Sequence, residues 1–218
     1  MDSPVQAGGA VDRFGPIRWF DWALAERRDG SFLPHIKVPG AVYFVTARLW
    51  DSVPADVYKH LAEVRERFMR VNPPPHDEKQ RERLKWLYYG SLERCLDQGI
   101  GSCVLNNPTC RGILENIMLR FDGDRYQIDE YVIMPTHFHV LTRIAAGTRR
   151  AGHCRSWKSL SAVQINHTTE RSGRLWQPDN FDHVIRNAEQ LEKCREYIRN
   201  NPKNQRAGEF TQARGKGW

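Results

Sequence analysis

Tyr131–Ile144 read YVIMPTHFHVLTRI, an apolar, β-branched and aromatic run broken once by Met134-Pro-Thr136. The run reads as the end of one strand, a short link, and a second strand beginning near His137. Alternate side chains of a strand share a face, so His137 and His139 point the same way and Phe138 points opposite. Two imidazoles on one rigid face can hold a single divalent metal ion. A His-x-His pair by itself equally fits two packed histidines, so its meaning depends on what the rest of the chain brings to it.

Upstream, Asp122-Gly-Asp124 reads as a turn and Arg125–Met134 as the first strand of a hairpin. Pro108–Phe121 has Ile113, Ile117 and Phe121 at helical spacing, and Asp77–Gln98 reads as a highly charged helix interrupted near Gly90. Pro54 opens a helix through about Arg70, with Val57, Leu61, Val64 and Phe68 on one stripe, and Asn72-Pro-Pro-Pro75 stops it. Ala41–Trp50 (AVYFVTARLW) reads as a strand. Downstream, residues 145–152 form a loop and Ser156–Thr169 a helix, and Arg174–Ile185 is extended with one short strand. Asn187–Asn201 is the last helix, capped by Asn187 with Gln190 completing a capping box, and ended by Pro202. This order predicts an α+β fold: a ferredoxin-like antiparallel sheet with helices packed on one face. The domain reading is an irregular lead-in over 1–35, one domain over 36–208 with a helical insertion at about 77–121, and a flexible basic tail over 209–218.

Hydrophobic residues at 40% and charged residues at 27% place the chain among ordinary soluble globular proteins. The longest apolar run, near Ala41–Ala47, is far short of the roughly 20 residues that span a bilayer. The start lacks a basic-then-apolar signal pattern, so a cytoplasmic protein with no membrane partner is expected. The five cysteines are widely spaced with no C-x-x-C pair, which argues against a zinc knuckle and for reduced thiols. Residues 141–218 carry 15 Lys and Arg against 7 Asp and Glu, whereas residues 1–140 carry 18 against 19. The whole excess of +7 therefore lies after the histidine pair, which suggests a polyanionic partner.

The closing helix supplies what two histidines lack. Tyr197 and Asn201 are four residues apart, hence on one face. The Asn201 amide oxygen suits Mg²⁺ or Mn²⁺ and can act as a third ligand. Tyr197 would then stand beside the metal as a nucleophile. A tyrosine on a terminal helix also fits a core aromatic with a wet hydroxyl.

Five blocks, LPH (33–35), VYFVTARL (42–49), MPTHFHVL (134–141), GRLWQPDNFDHVIRN (173–187) and EYIRNNPKNQRAG (196–208), together resemble the REP-associated tyrosine transposases of the HUH single-strand transposase superfamily. They occur in that family's order across roughly Leu33–Gly208. The resemblance implies that His137 and His139 are metal ligands, that Tyr197 is the nucleophile, and that Asn201 completes the metal site. It implies a metal-dependent transposase or endonuclease that cleaves and rejoins single-stranded DNA bearing palindromic hairpins, through a 5′-phosphotyrosine intermediate. A monomer is favoured over a dimer on the same ground, and such a cytoplasmic protein would join the bacterial nucleoid when bound to DNA. One departure stands out: the family's usual Asn before the first histidine is Thr136 here, which implies tuning of the site and not its loss.

Candidate DNA contacts are Arg143, Arg149, Arg150, Arg155, Lys158, Arg174, Arg186, Arg195 and Arg199 for phosphates, and Trp176 or Trp157 either stacks an unpaired base or packs in the core. The alternative reading is a domesticated protein that grips hairpin DNA and cuts little. A third is a phosphodiesterase that uses water in place of Tyr197.

Overall fold

Every residue of Val42–Arg48, and all but the last of His137–Ile144, are buried. A strand buried at consecutive positions has cover on both faces. The computed structural model, which describes residues 14–20, 26–28, 35–38, 40–145 and 153–218, shows what provides it. The elements run β1 (Glu26–Arg28), β2 (His35–Lys37), β3 (Val42–Arg48), α1 (Ala55–Val71), α2 (Glu78–Leu96), α3 (Pro108–Leu119), β4 (Tyr126–Ile133), β5 (His137–Ile144), α4 (His153–Thr168), β6 (Phe181–Val184), α5 (Ala188–Asn200) and β7 (Thr211–Arg214).

The main sheet is antiparallel in the order β6-β3-β5-β4-β7, and β4 and β5 form the hairpin expected around Met134-Pro-Thr136. The unit β3-α3-β4-β5-α4-β6 has the ferredoxin-like arrangement. One face presents Tyr43, Val45, Ala47, Phe138, Val140, Ile128 and Tyr131 to Leu114 and Met118 of α3 and to Trp157 and Ile165 of α4. The other presents Val42, Phe44, Val132 and Leu141 to Leu191 and Ile198 of α5. Helices on one face alone is thus corrected. The α3–α4 pair takes one side, and α5 covers the side that the histidines occupy.

Two further expectations change. The span 77–121 does not behave as one insertion: α3 belongs to the central core, and the additional helices are α1 and α2, which share a small core of Leu61, Leu92, Cys95 and Leu96. Gly90 leaves α2 unbroken. The tail is not loose over 211–214, because β7 pairs with β4. Its short, polar TQAR sequence gave no alternating signal, and backbone ladder bonds need none. The Asn187 cap is present, but the Gln190 amide oxygen accepts from the Arg186 N–H, one residue before the expected partner. All five cysteines are free thiols.

The β4–β5 register slips between Ile128 and Tyr131. The bulge lets these two residues face the same core although an odd number apart. It also carries Asp129 and Glu130, whose carboxylates fasten α5. Arg195 Nε lies 2.6 Å from Asp129 Oδ2, and Arg199 and Arg214 both hold Glu130. Burial raises the Asp129 carboxyl despite Arg195, whereas its two arginines hold Glu130 low against burial. Removing Arg195 strands a carboxylate whose side chain is only 2% exposed. Arg195→Ala is expected to cost about 3–5 kcal/mol in urea denaturation. Arg214→Ala, which leaves Glu130 with Arg199, costs far less.

Candidate metal and nucleophile site

Strand β5 places His137 and His139 on the α5 face, their ring centroids 4.7 Å apart. Each ring is held through Nδ1. Thr46 Oγ1 lies 2.7 Å from His139 Nδ1, and Phe44 stacks on that ring at 5.3 Å. Thr136 Oγ1 lies 2.9 Å from His137 Nδ1 and donates its own hydrogen to the Leu96 carbonyl at 3.4 Å. Thr136 therefore accepts the His137 Nδ1–H, which leaves a lone pair on Nε2. Burial pushes both imidazoles down to about 3, and the neighbouring His139 adds to this at His137. Both rings are neutral near pH 7, the form that binds metal.

Three side chains from two helices meet them. Glu93 of α2 brings Oε2 to 3.7 Å from His139 Nε2. Ligand atoms of Glu93, His137 and His139 all lie within 4.8 Å of one another. Tyr197 sits on α5 beside the buried Ile198; its ring meets His139 edge-on at 5.2 Å, and its hydroxyl donates to Glu93 Oε2. Burial, then the Glu93 charge, raise the Tyr197 hydroxyl well above the usual phenol range. Asn201 follows at the end of α5, where Pro202 halts the helix, and its amide interacts with both His137 and Tyr197.

Four atoms here are buried without a hydrogen-bond partner: His137 Nε2, His139 Nε2, Glu93 Oε1 and Asn201 Oδ1. One such atom is costly, and four electron-rich atoms converging are more so. A divalent cation would satisfy all four at once where both imidazoles present a lone pair at Nε2, and two imidazoles with two oxygens suit such an ion. The geometry therefore fits a metal, with Tyr197 at the rim and 36% exposed. The Nδ1 partners should matter as much as outer-shell partners do elsewhere. Thr136→Val is expected to weaken Mn²⁺ binding by about 10–100-fold in calorimetric titration.

The structure brings together His137, His139, Tyr197 and Asn201. It disperses the DNA candidates. Trp176 is a core residue and not a stacking platform: it is 6% exposed, packs on Phe138, and donates to Ser161 Oγ at 2.9 Å. Trp157 is likewise buried, bonded to the Tyr126 hydroxyl. Lys158 is buried, its ammonium held by the carbonyls of Gln177 and Pro178. Arg195 and Arg199 are committed to the acidic bulge of β4. Arg143 bonds Gln127 and the Gly15 carbonyl, and Arg186 lies over the Phe20 ring. Arg155 and Arg174 are exposed, and Arg149 and Arg150 lie outside the described residues.

Sequence reasoning missed Glu93, Arg48 and Trp50. The one signal for Glu93 was a carboxylate set among Leu92, Cys95 and Leu96 on the buried stripe of α2. Trp50 is 44% exposed with the Arg174 guanidinium 4.9 Å from its ring centroid, the aromatic–cation surface that Trp176 does not provide.

These features define a two-histidine site on an antiparallel sheet, able to hold a divalent cation next to a tyrosine hydroxyl. No family model matches the chain. An uncharacterized protein of Haemophilus influenzae is 30% identical over 111 residues, covering 40% of this chain and 59% of that protein; the chain thus matches less than two thirds of the relative's length. Among solved structures, a REP-associated tyrosine transposase bound to a REP hairpin aligns over 77% of this chain and 69% of its own, with 17% identity and a TM-score of 0.36. A likeness at that level leaves function to be reasoned from this chain's own residues. Among the described residues, no helix is long and apolar enough to cross a membrane.

Proposed function

We propose that the chain is a metal-dependent tyrosine endonuclease and strand transferase acting on single-stranded hairpin DNA, as the sequence blocks shared with REP-associated tyrosine transposases imply. The observation that carries this reading is the Tyr197 hydroxyl bonded to Glu93 within the same cluster as four partnerless donor atoms. Held by His137, His139, Asn201 and the second Glu93 oxygen, a Mg²⁺ or Mn²⁺ ion would neutralise charge on the non-bridging oxygens of the scissile phosphate.

The chain's own residues do the rest. Thr46 and Thr136 fix the imidazoles, and α5 holds the phenol oxygen at the rim. The Tyr197 oxygen attacks phosphorus in line. An Oη–P bond forms, the P–O3′ bond breaks, and the departing oxygen takes a proton from solvent to become a 3′-hydroxyl. The phenol proton passes to Glu93, its present acceptor. One phosphodiester replaces another, so a 3′-hydroxyl can reverse the step and join strands without a nucleotide cofactor. Trp50 and Arg174 give an unpaired base a stacking surface.

The test uses a hairpin strand labelled at its 3′ end, incubated with protein and Mn²⁺. Label should become protein-linked, survive detergent, and vanish with chelator. Wild-type protein that cuts without ever forming the adduct would overturn the proposal.

A further inference from the structure

Arg48 is the last residue of β3 and stands directly opposite His137 in the sheet register. Directly opposed residues share a face. Two positions earlier, Thr46 opposes and bonds His139, so Arg48 leaves the sheet on the face of both imidazoles, and its guanidinium reaches the Tyr58 hydroxyl of α1. It is only 7% exposed. Among the described residues its guanidinium makes one hydrogen bond, a long contact of 3.5 Å to the Tyr58 hydroxyl, and no ion pair, and its Nε is buried without a partner. Lys158, a second cation, is near enough to be affected by Arg48, and the acid that acts with Arg48 on Cys95, Asp56, makes no ion pair with it among the described residues.

A buried guanidinium without a carboxylate is costly, and natural proteins accept such costs mainly at functional sites. Guanidinium groups are suited to phosphate by their planar fork of donors. We propose that Arg48 is a phosphate anchor of this site, binding a non-bridging oxygen of the nucleic-acid phosphate that enters beside His137. This rests on the proposed function and adds a substrate-binding residue to it. His137 is enclosed too, at 1% exposed against 7% for Arg48.

Four measurements on Arg48→Gln test this. The cleavage rate of the hairpin strand should fall about 10²-fold, with partial recovery in Arg48→Lys, which keeps the charge but not the fork. The slope of log binding constant against log salt for single-stranded DNA should become shallower by about 0.7, the value for one lost phosphate contact. Thermal stability should be unchanged or higher, because an uncompensated buried charge has been removed. Neutralising the mapped scissile phosphate as a methylphosphonate should erase the difference in affinity between wild type and Arg48→Gln. An unaltered salt slope, or an equal loss of affinity on the neutral and charged strands, overturns the anchor. If wild-type protein forms no tyrosine adduct, the nucleophile reading fails, and the salt slope still decides Arg48 alone.

Discussion

Replacing Tyr197 with phenylalanine is expected to abolish the covalent protein–DNA adduct and to slow strand cleavage by at least about 10³-fold, while hairpin affinity changes by no more than a few-fold. The substitution deletes one oxygen and keeps the ring, so the edge-on contacts with His139 and Phe44 survive and α5 stays seated through Leu191 and Ile198. It also relieves Glu93 of its donor. Both carboxylate oxygens then become available to a cation, so Mn²⁺ affinity should hold or rise while chemistry is lost. That opposed outcome separates a nucleophile from a ligand, because loss of His139 or Asn201 should lower both together. It also separates the readings carried from the sequence: a water-using phosphodiesterase keeps turning over in Tyr197→Phe, and a hairpin-binding protein without cleavage shows no adduct to lose. Labelled-strand gels and calorimetry on the same protein preparations check it.

The site was legible where local geometry alone fixes it. Period-two alternation set His137 and His139 on one face, and four-residue spacing before a proline set Tyr197 above Asn201. These are properties of single elements, and the structure contains them. The partners that arrive through tertiary packing were not legible. Glu93 lies 44 residues before His137, on a helix whose charged surface hides one inward carboxylate. Arg48 looked like an ordinary strand end until the register placed it opposite His137. The basic stretch after the histidines misled for the converse reason. Sequence shows charge but not its neutralisation, and the bulge at Asp129 and Glu130 engages Arg195, Arg199 and Arg214 before any nucleic acid can. Of the two readings open for Trp176, the mostly polar flank GRLWQPDN could not decide, whereas a bridge between Trp176 and Leu49 runs it along the sheet edge into the core.

Metal-free protein should lose stability as pH falls from about 6.5 toward 3, and the two site histidines set the sign. Burial keeps both rings neutral in the folded chain down to about 3, whereas in the unfolded chain they take up protons near 6.5. The unfolded state therefore binds more protons throughout that window, and acid favours it. Each ring contributes up to about 1.4 kcal/mol per pH unit, so the pair should cost about 2 kcal/mol between pH 6 and 5. His139→Gln should roughly halve this slope. Metal acts in the opposite direction: Mn²⁺ at a hundred times its dissociation constant should add about 2.7 kcal/mol, equivalent to roughly 5–10 °C in melting temperature for a chain of this size. Because acid cannot protonate the folded rings above pH 5, their share of Mn²⁺ affinity should barely change between pH 7 and 5. An exposed histidine pair would lose about 10²-fold or more over that interval. Calorimetric titration at the two pH values decides the point, and a loss of that size would mean that the imidazoles are open to water and titrate normally.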